Sequence, residues 1–198
     1  MTIQLNPWPT VAFAVVMLCW FVFAAAFIFR AKPPAAKESR RERASIIGIA
    51  LQGLSYAVVW GTPHRYFTPI VGMSETAEIV VAVLTMLLAV LSVLLVMAAV
   101  RRLGKEWSLT ARLVEGHRLV TDGPYRIVRN PIYTGMLGML VATGLALGSL
   151  IGLILGVIVF LAGTFIRVRS EEKLLREAFG QEFDAYARRT PAVIPRPF

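Results

Sequence analysis

Five apolar stretches divide the chain, at residues 11–29, 44–60, 77–100, 132–147 and 150–168, each bounded by charged, Gly-containing or Pro-containing segments. Crossing a bilayer takes roughly 20 apolar residues in a helix, and several of these runs reach that length. Ser74, followed by Glu75 and Glu78, supplies an N-cap and a first turn suited to the positive end of a helix dipole for the third run. Gly148 and Ser149 alone separate the fourth and fifth runs, so these two form a tight antiparallel hairpin. Within it Gly144, Gly148, Gly152 and Gly156 recur every four residues. That spacing reads as close helix packing through small faces, or alternatively as room for a bulky ligand beside the hairpin.

Beyond residue 168 the period persists while the composition changes. In "SEEKLLREAFGQEFDAYARR" the apolar positions Leu174, Leu175, Ala178, Phe179, Phe183 and Tyr186 fall on one helical face and charges fill the other. A helix lying against the membrane surface or over the loop at 101–131 is expected there, ended by the Pro-rich "TPAVIPRPF". The predicted fold is all-α, a polytopic membrane helical bundle of about five transmembrane helices with a cytoplasmic loop at 101–131 and a C-terminal amphipathic helix. Residues 1–100 hold three helices (11–29, 44–60 and 77–100). Residues 101–198 form the second half: loop 101–131, hairpin 132–168 and cytoplasmic helix and tail 169–198.

Composition agrees, with 57% hydrophobic and only 17% charged residues and a mean hydropathy of +0.66. Basic residues alternate across the spans: six at 30–43, seven at 101–131 and seven from Arg167 onward, against Arg65 alone between the second and third spans. This pattern puts the N-terminus outside and the C-terminus and the candidate site in the cytoplasm, with a prokaryotic cytoplasmic membrane as the expected setting. The net charge of +9 is then an orientation signal and an attraction to anionic membrane lipid, not a nucleic-acid footprint. The first run ends in charge rather than at a small-residue cleavage site, and is read as a retained helix. One cysteine, Cys19, and two distant histidines, His64 and His117, leave little from which to build a metal site or a Ser-His-Asp set, so no metal is expected.

Two pieces on the basic side carry candidate chemistry. "EGHRLVTDGPYRIVRNPIYTG", at 115–135, is turn-rich, with Pro131 holding Asn130 extended and suiting the first turn of the fourth helix. Taken alone it is either a stiff entry into a membrane helix or a binding loop. In "FIRVRSEEKLL" Arg167 and Glu171 are four apart and share a helical face at the membrane edge. Such a pair is a functional hypothesis; the alternative is a snorkelling arginine with an incidental partner.

These two pieces together resemble the isoprenylcysteine carboxyl methyltransferase family, and related membrane phospholipid methyltransferases share the C-terminal pattern. The resemblance runs from Leu103 to the end, and it implies that 101–198 is the catalytic region with 101–131 as its cofactor-binding loop. It implies an S-adenosyl-L-methionine-dependent methyltransferase, with S-adenosyl-L-homocysteine as product and a lipophilic methyl acceptor entering from the bilayer. By the same resemblance His117, Arg118, Leu119 and Val120 contact the cofactor, as do Tyr125 and the element at Asn130, Pro131, Ile132 and Tyr133. Arg167 is assigned to substrate binding and catalysis, and Glu171 to cofactor binding and catalysis. Asn130 departs from the family pattern, which has a histidine there; asparagine keeps hydrogen-bonding capacity but cannot titrate near neutral pH. A prenylcysteine-type carboxylate is the first acceptor the resemblance suggests, with a phospholipid amine or a small thiol as alternatives. An NADPH-dependent membrane reductase and a non-catalytic membrane protein are the rivals from other classes.

Overall fold

The computed structural model describes residues 7–28, 38–41, 44–62, 74–106, 112–114 and 118–195. Its helices are α1 (Pro7–Ile28), α2 (Ala44–Gly61), α3 (Glu75–Leu103), α4 (Pro131–Leu147), α5 (Leu150–Phe179) and α6 (Gln181–Arg189). Two short strands, β1 (Glu38–Arg41) and β2 (Arg112–Val114), pair antiparallel and join the loop after α1 to the loop after α3. The architecture is a polytopic helical bundle in which α1, α2, α3 and α5 are each long and apolar enough to cross a membrane. α4, with 17 residues, is shorter.

α4 is the centre of the bundle. On one side Met139, Ala142 and Ala146 meet Val16 and Cys19 of α1 and Ala89 and Val93 of α3. On the other, Leu140 and Leu147 meet Val59 of α2 and Phe160 of α5. The outer faces carry exposed Leu18, Phe21, Leu84, Leu91, Ile151 and Phe165, as expected of surfaces solvated by lipid. Buried polar groups close on one another: the Trp20 indole N–H donates to Thr143 Oγ1 at 3.1 Å and the Tyr56 hydroxyl to the Met136 carbonyl at 2.7 Å.

Glycines fix how close the helices come. A Cβ at Gly163 would lie 2.8 Å from the Gly48 carbonyl oxygen, and one at Gly156 would lie 2.6 Å from Val59 and 3.1 Å from the Ser55 carbonyl. Gly152 abuts Thr62. These contacts run α2 antiparallel to α5 with the backbones nearly touching, the small-residue packing that stands in for hydrophobic association in lipid. Three members of the glycine repeat serve packing, Gly144 set against Leu153 within the hairpin and Gly152 and Gly156 turned toward α2, while Gly148, at φ +69°, makes the turn that ends α4. Ser74 caps α3, its hydroxyl accepting from the Ala77 amide.

The C-terminal region departs from expectation. Instead of a separate surface helix from 169, α5 runs without a break from Leu150 to Phe179. No glycine or proline interrupts 164–179, so the membrane helix simply continues. At about 1.5 Å per residue its 30 residues span about 45 Å, some 15 Å beyond a typical hydrocarbon core, so its last turns project from the bilayer. Gly180, at φ +50°, ends it and turns the chain into α6. The loop expected at 101–131 is likewise more ordered: α3 continues to Leu103, β2 pairs with β1, and Gly123–Arg126 form a 3-10 turn packed on α3.

Candidate active site

Where α5 emerges, Arg167 and Glu171 meet α2 and α4. Arg167 Nη2 lies 3.3 Å from Glu171 Oε1; the arginine side chain is 7% exposed and the glutamate 27%. Tyr133, in the first turn of α4, donates its hydroxyl to the same Glu171 oxygen, and its ring lies under the Arg167 guanidinium at 4.9 Å. Nη1 of Arg167 donates to Gln52 Oε1 of α2 at 3.4 Å, and the Gln52 amide nitrogen donates to Thr164 Oγ1 at 2.9 Å. A buried guanidinium is thus enclosed by a carboxylate, an aromatic face and an amide. Glu171 lies one turn beyond Arg167 toward the projecting end of α5.

The second part of the site is a joint between the loop before α4 and the C-terminal tail. Arg129 Nε and Nη2 donate to Glu172 Oε1 at 2.9 and 2.6 Å. Its Nη1 donates to the carbonyls of Ala187, at 2.9 Å, and Thr190, at the end of α6. The amides of Arg129 and Asn130 donate to the carbonyls of Pro191 and Ala192 at 2.8 and 2.9 Å. The Asn130 side-chain amide also donates to Ala192, at 3.0 Å, and the Thr134 hydroxyl to Val193, at 2.6 Å. Tyr186 donates to the Tyr125 carbonyl at 2.6 Å, and burial pushes the Tyr186 phenol up to about 12.

Of the residues singled out in the sequence, Tyr133, Arg167 and Glu171 come together directly. Pro131 is buried at the start of α4 and Ile132 is half-buried beside it. Tyr125 is buried in the 3-10 turn against α6. Asn130 faces the tail, where its neutral side-chain amide donates to the Ala192 carbonyl, a contact that needs no titrating group. Leu119 and Val120 are half-buried and Arg118 is exposed, while His117 lies outside the described residues. Three partners escaped the sequence reading: Gln52, Glu172 and the tail carbonyls. Gln52 had a usable signal, being an amide inside an otherwise apolar membrane run. Among the described residues no group of three or more His, Cys, Asp or Glu side chains is arranged to hold a metal.

Helix number, apolar outer faces and a polar cluster at one end define a polytopic membrane protein with a candidate site at the bilayer edge. The phospholipid methyltransferase family model matches residues 80–182, from α3 into the start of α6, which includes Tyr133, Arg167 and Glu171 but neither Gln52 nor the tail beyond 182. The chain belongs to this family. It is 37% identical over 84 residues to protein-S-isoprenylcysteine O-methyltransferase B of Arabidopsis thaliana, covering 42% of this chain and 43% of that protein. The protein-S-isoprenylcysteine O-methyltransferase of Schizosaccharomyces pombe is 34% identical over 79 residues, 40% of this chain and 34% of that one. A nickel-cobalt-cadmium resistance protein of Alcaligenes xylosoxydans xylosoxydans is 36% identical over 114 residues, 54% of this chain and 51% of that one. The chain thus spans about half or less of the length of these relatives.

Proposed function

We propose that this protein is an S-adenosyl-L-methionine-dependent methyltransferase that methylates a lipophilic acceptor reaching Arg167 from the bilayer, with a prenylcysteine-type carboxylate as the preferred acceptor. The observation that carries this reading is the Tyr133–Arg167–Glu171 cluster, a buried cation and a partly exposed anion at the lip of an apolar bundle. Family membership and the names of the two isoprenylcysteine methyltransferase relatives support it.

The donor set fits the cofactor in chemistry. Glu171 offers a reachable carboxylate for a cationic group, with Leu119, Val120 and Ile132 as half-buried apolar surface. When bound, the cofactor supplies an electrophilic sulfonium methyl. The protein's task is then alignment and exclusion of water. Arg167 holds the acceptor carboxylate by charge-assisted hydrogen bonds, and such an acceptor needs no general base. Tyr133 fixes Glu171 as a hydrogen-bond acceptor. His117, Arg118, Leu119, Val120, Tyr125, Asn130, Pro131 and Ile132 complete the cofactor side, Tyr125 through its buried side chain in the 3-10 turn and Asn130 by holding the loop to the tail. The basic-residue alternation supports a site on the cytoplasmic face of the membrane. The family's phospholipid methyltransferase description supports an amine as the second acceptor class; there Glu171 would take the proton.

Calorimetry of S-adenosyl-L-homocysteine binding to the detergent-purified full chain tests the cofactor. Saturable binding, weakened at least tenfold by Glu171→Ala and also weakened by Tyr125→Ala, is expected. A folded wild type that binds none, or binds NADPH in its place, overturns the reading. Methyl transfer to an S-farnesylcysteine derivative against a phosphatidylethanolamine then decides the acceptor.

A further inference from the structure

Arg167 is held from a direction the family match does not include. α2 ends before residue 80, where the match begins, yet Gln52 of α2 is 2% exposed and directed at Arg167. Its amide is used at both ends, the oxygen accepting from Arg167 Nη1 and the nitrogen donating to Thr164 Oγ1. Thr164 sits one helical turn before Arg167 on α5, so the three residues form a closed bracket between two helices. The bracket exists because α2 and α5 nearly touch there. A Cβ at Gly48 would collide with the Arg167 side-chain stem and come within 2.7 Å of the Gly163 carbonyl. Ser45, Gly48, Gln52 and Ser55 are all buried and recur at helical spacing, giving α2 a small and polar stripe toward α5 inside an otherwise apolar span.

We propose that Gln52 is a positioning residue for Arg167, fixing the plane of the guanidinium over the Tyr133 ring and toward Glu171 in the orientation that receives the methyl acceptor. This rests on the proposed methyltransferase reading for the role of Arg167. The assignment of Gln52 is separate, because an arginine on a long flexible stem reaches one orientation only if neighbours restrict it. Glu171 and Tyr133 restrict one end, and Gln52 the other. α2 thereby becomes part of the site rather than a lipid-facing filler.

The test uses the full chain in detergent, labelled with ¹⁵N-arginine, with Arg167 signals assigned through Arg167→Lys. In the wild type the Arg167 side chain is expected in the rigid range of order parameters, and Gln52→Leu is expected to bring it below about 0.6. In parallel, Gln52→Leu should lower kcat/KM for an S-farnesylcysteine acceptor at least tenfold while S-adenosyl-L-homocysteine affinity stays within twofold. Gln52→Glu, which keeps an oxygen toward Nη1, should recover most of the loss. A general packing defect would move cofactor affinity and acceptor kinetics together and would not be rescued by Glu. An unchanged order parameter, or acceptor kinetics within twofold of wild type, overturns the proposal. If the wild type methylates no acceptor, the methyltransferase reading fails and the order parameter alone decides the hold of Gln52. Should Gln52→Leu not fold, Thr164→Val removes the bracket from its other end and is read in the same way.

Discussion

Arg129→Ala is the most informative single change outside the Arg167 cluster. One guanidinium makes four hydrogen bonds, two to Glu172 and two to carbonyls at the end of α6. The ion pair is mostly buried, with 14% and 18% of the two side chains exposed. Removing one partner of a fully buried pair costs about 3–5 kcal/mol, because the other charge is left uncompensated. Partial exposure lets water reach Glu172, so about 3 kcal/mol is the appropriate figure here. At about 1.4 kcal/mol per factor of ten, the joint between the loop and the tail should open roughly 100-fold more often. Hydrogen exchange reads this directly, since the amides of residues 129 and 130 donate to Pro191 and Ala192. In the variant these amides and those of α6 should lose about 100-fold in protection while amides in the middle of α3 and α5 keep theirs. Arg129→Lys should recover less than half, because an ammonium cannot present the planar fork that reaches Glu172 and both carbonyls. Protection within threefold of wild type for Arg129→Ala would refute the reasoning and make the joint an incidental contact.

Other parts of the structure give sharper contrasts. Gly163→Val should lower the detergent unfolding midpoint by roughly 5 °C, since its Cβ meets the Gly48 carbonyl, and overpacking costs about 1–3 kcal/mol; an unchanged midpoint would mean α2 can move away freely. Tyr186→Phe removes a buried hydrogen bond and should cost about 1 kcal/mol near neutral pH, read from the midpoint. The Tyr186 phenol is raised from its usual 10 to about 12, so its stabilisation is complete below pH 10 and is lost as pH rises through 12; Tyr186→Phe should lack that alkaline loss. Asp184→Asn, by contrast, breaks an ion pair with Arg176 whose side chains are about half exposed, and should change the midpoint by less than a degree or two.

The apolar runs made the membrane helices legible because lipid imposes length and hydropathy on any segment that crosses it. Arg167 and Glu171 were legible as a pair because four-residue spacing on a helix is a local geometric fact. The continuation of α5 through 169–179 was less visible. Charged residues in helical period fit a surface helix as well as the projecting end of a membrane helix, and only the lack of a breaker before Gly180 separates the two. The β1–β2 pairing joins segments some 70 residues apart through "ESRR" and "RLV", and neither has a strand pattern to announce it. Gln52 stood in the half of the chain that carried no motif, so its partner on α5 could not be named without the α2–α5 approach.

The stiff, charged loop before α4 now has a physical account. A cation directly before a helix N-terminus opposes the dipole, and α4 begins one residue beyond Asn130 with Arg129 ahead of it. The arginine is tolerated because its charge is turned onto Glu172 and onto carbonyls at the C-terminal end of α6, where the dipole favours a cation. Arg129 therefore couples the positive end of one helix to the negative end of another. The coupling brings the tail along the Asn130–Thr134 segment. Tyr133 lies within that segment, so whatever loosens the tail should also loosen the hydroxyl that Glu171 accepts from. On this argument, Arg129→Ala impairs the site from one end of α4 as Gln52→Leu impairs it from α2. The first should weaken S-adenosyl-L-homocysteine binding through Tyr133 and Glu171. The second should spare it and affect the acceptor through Arg167.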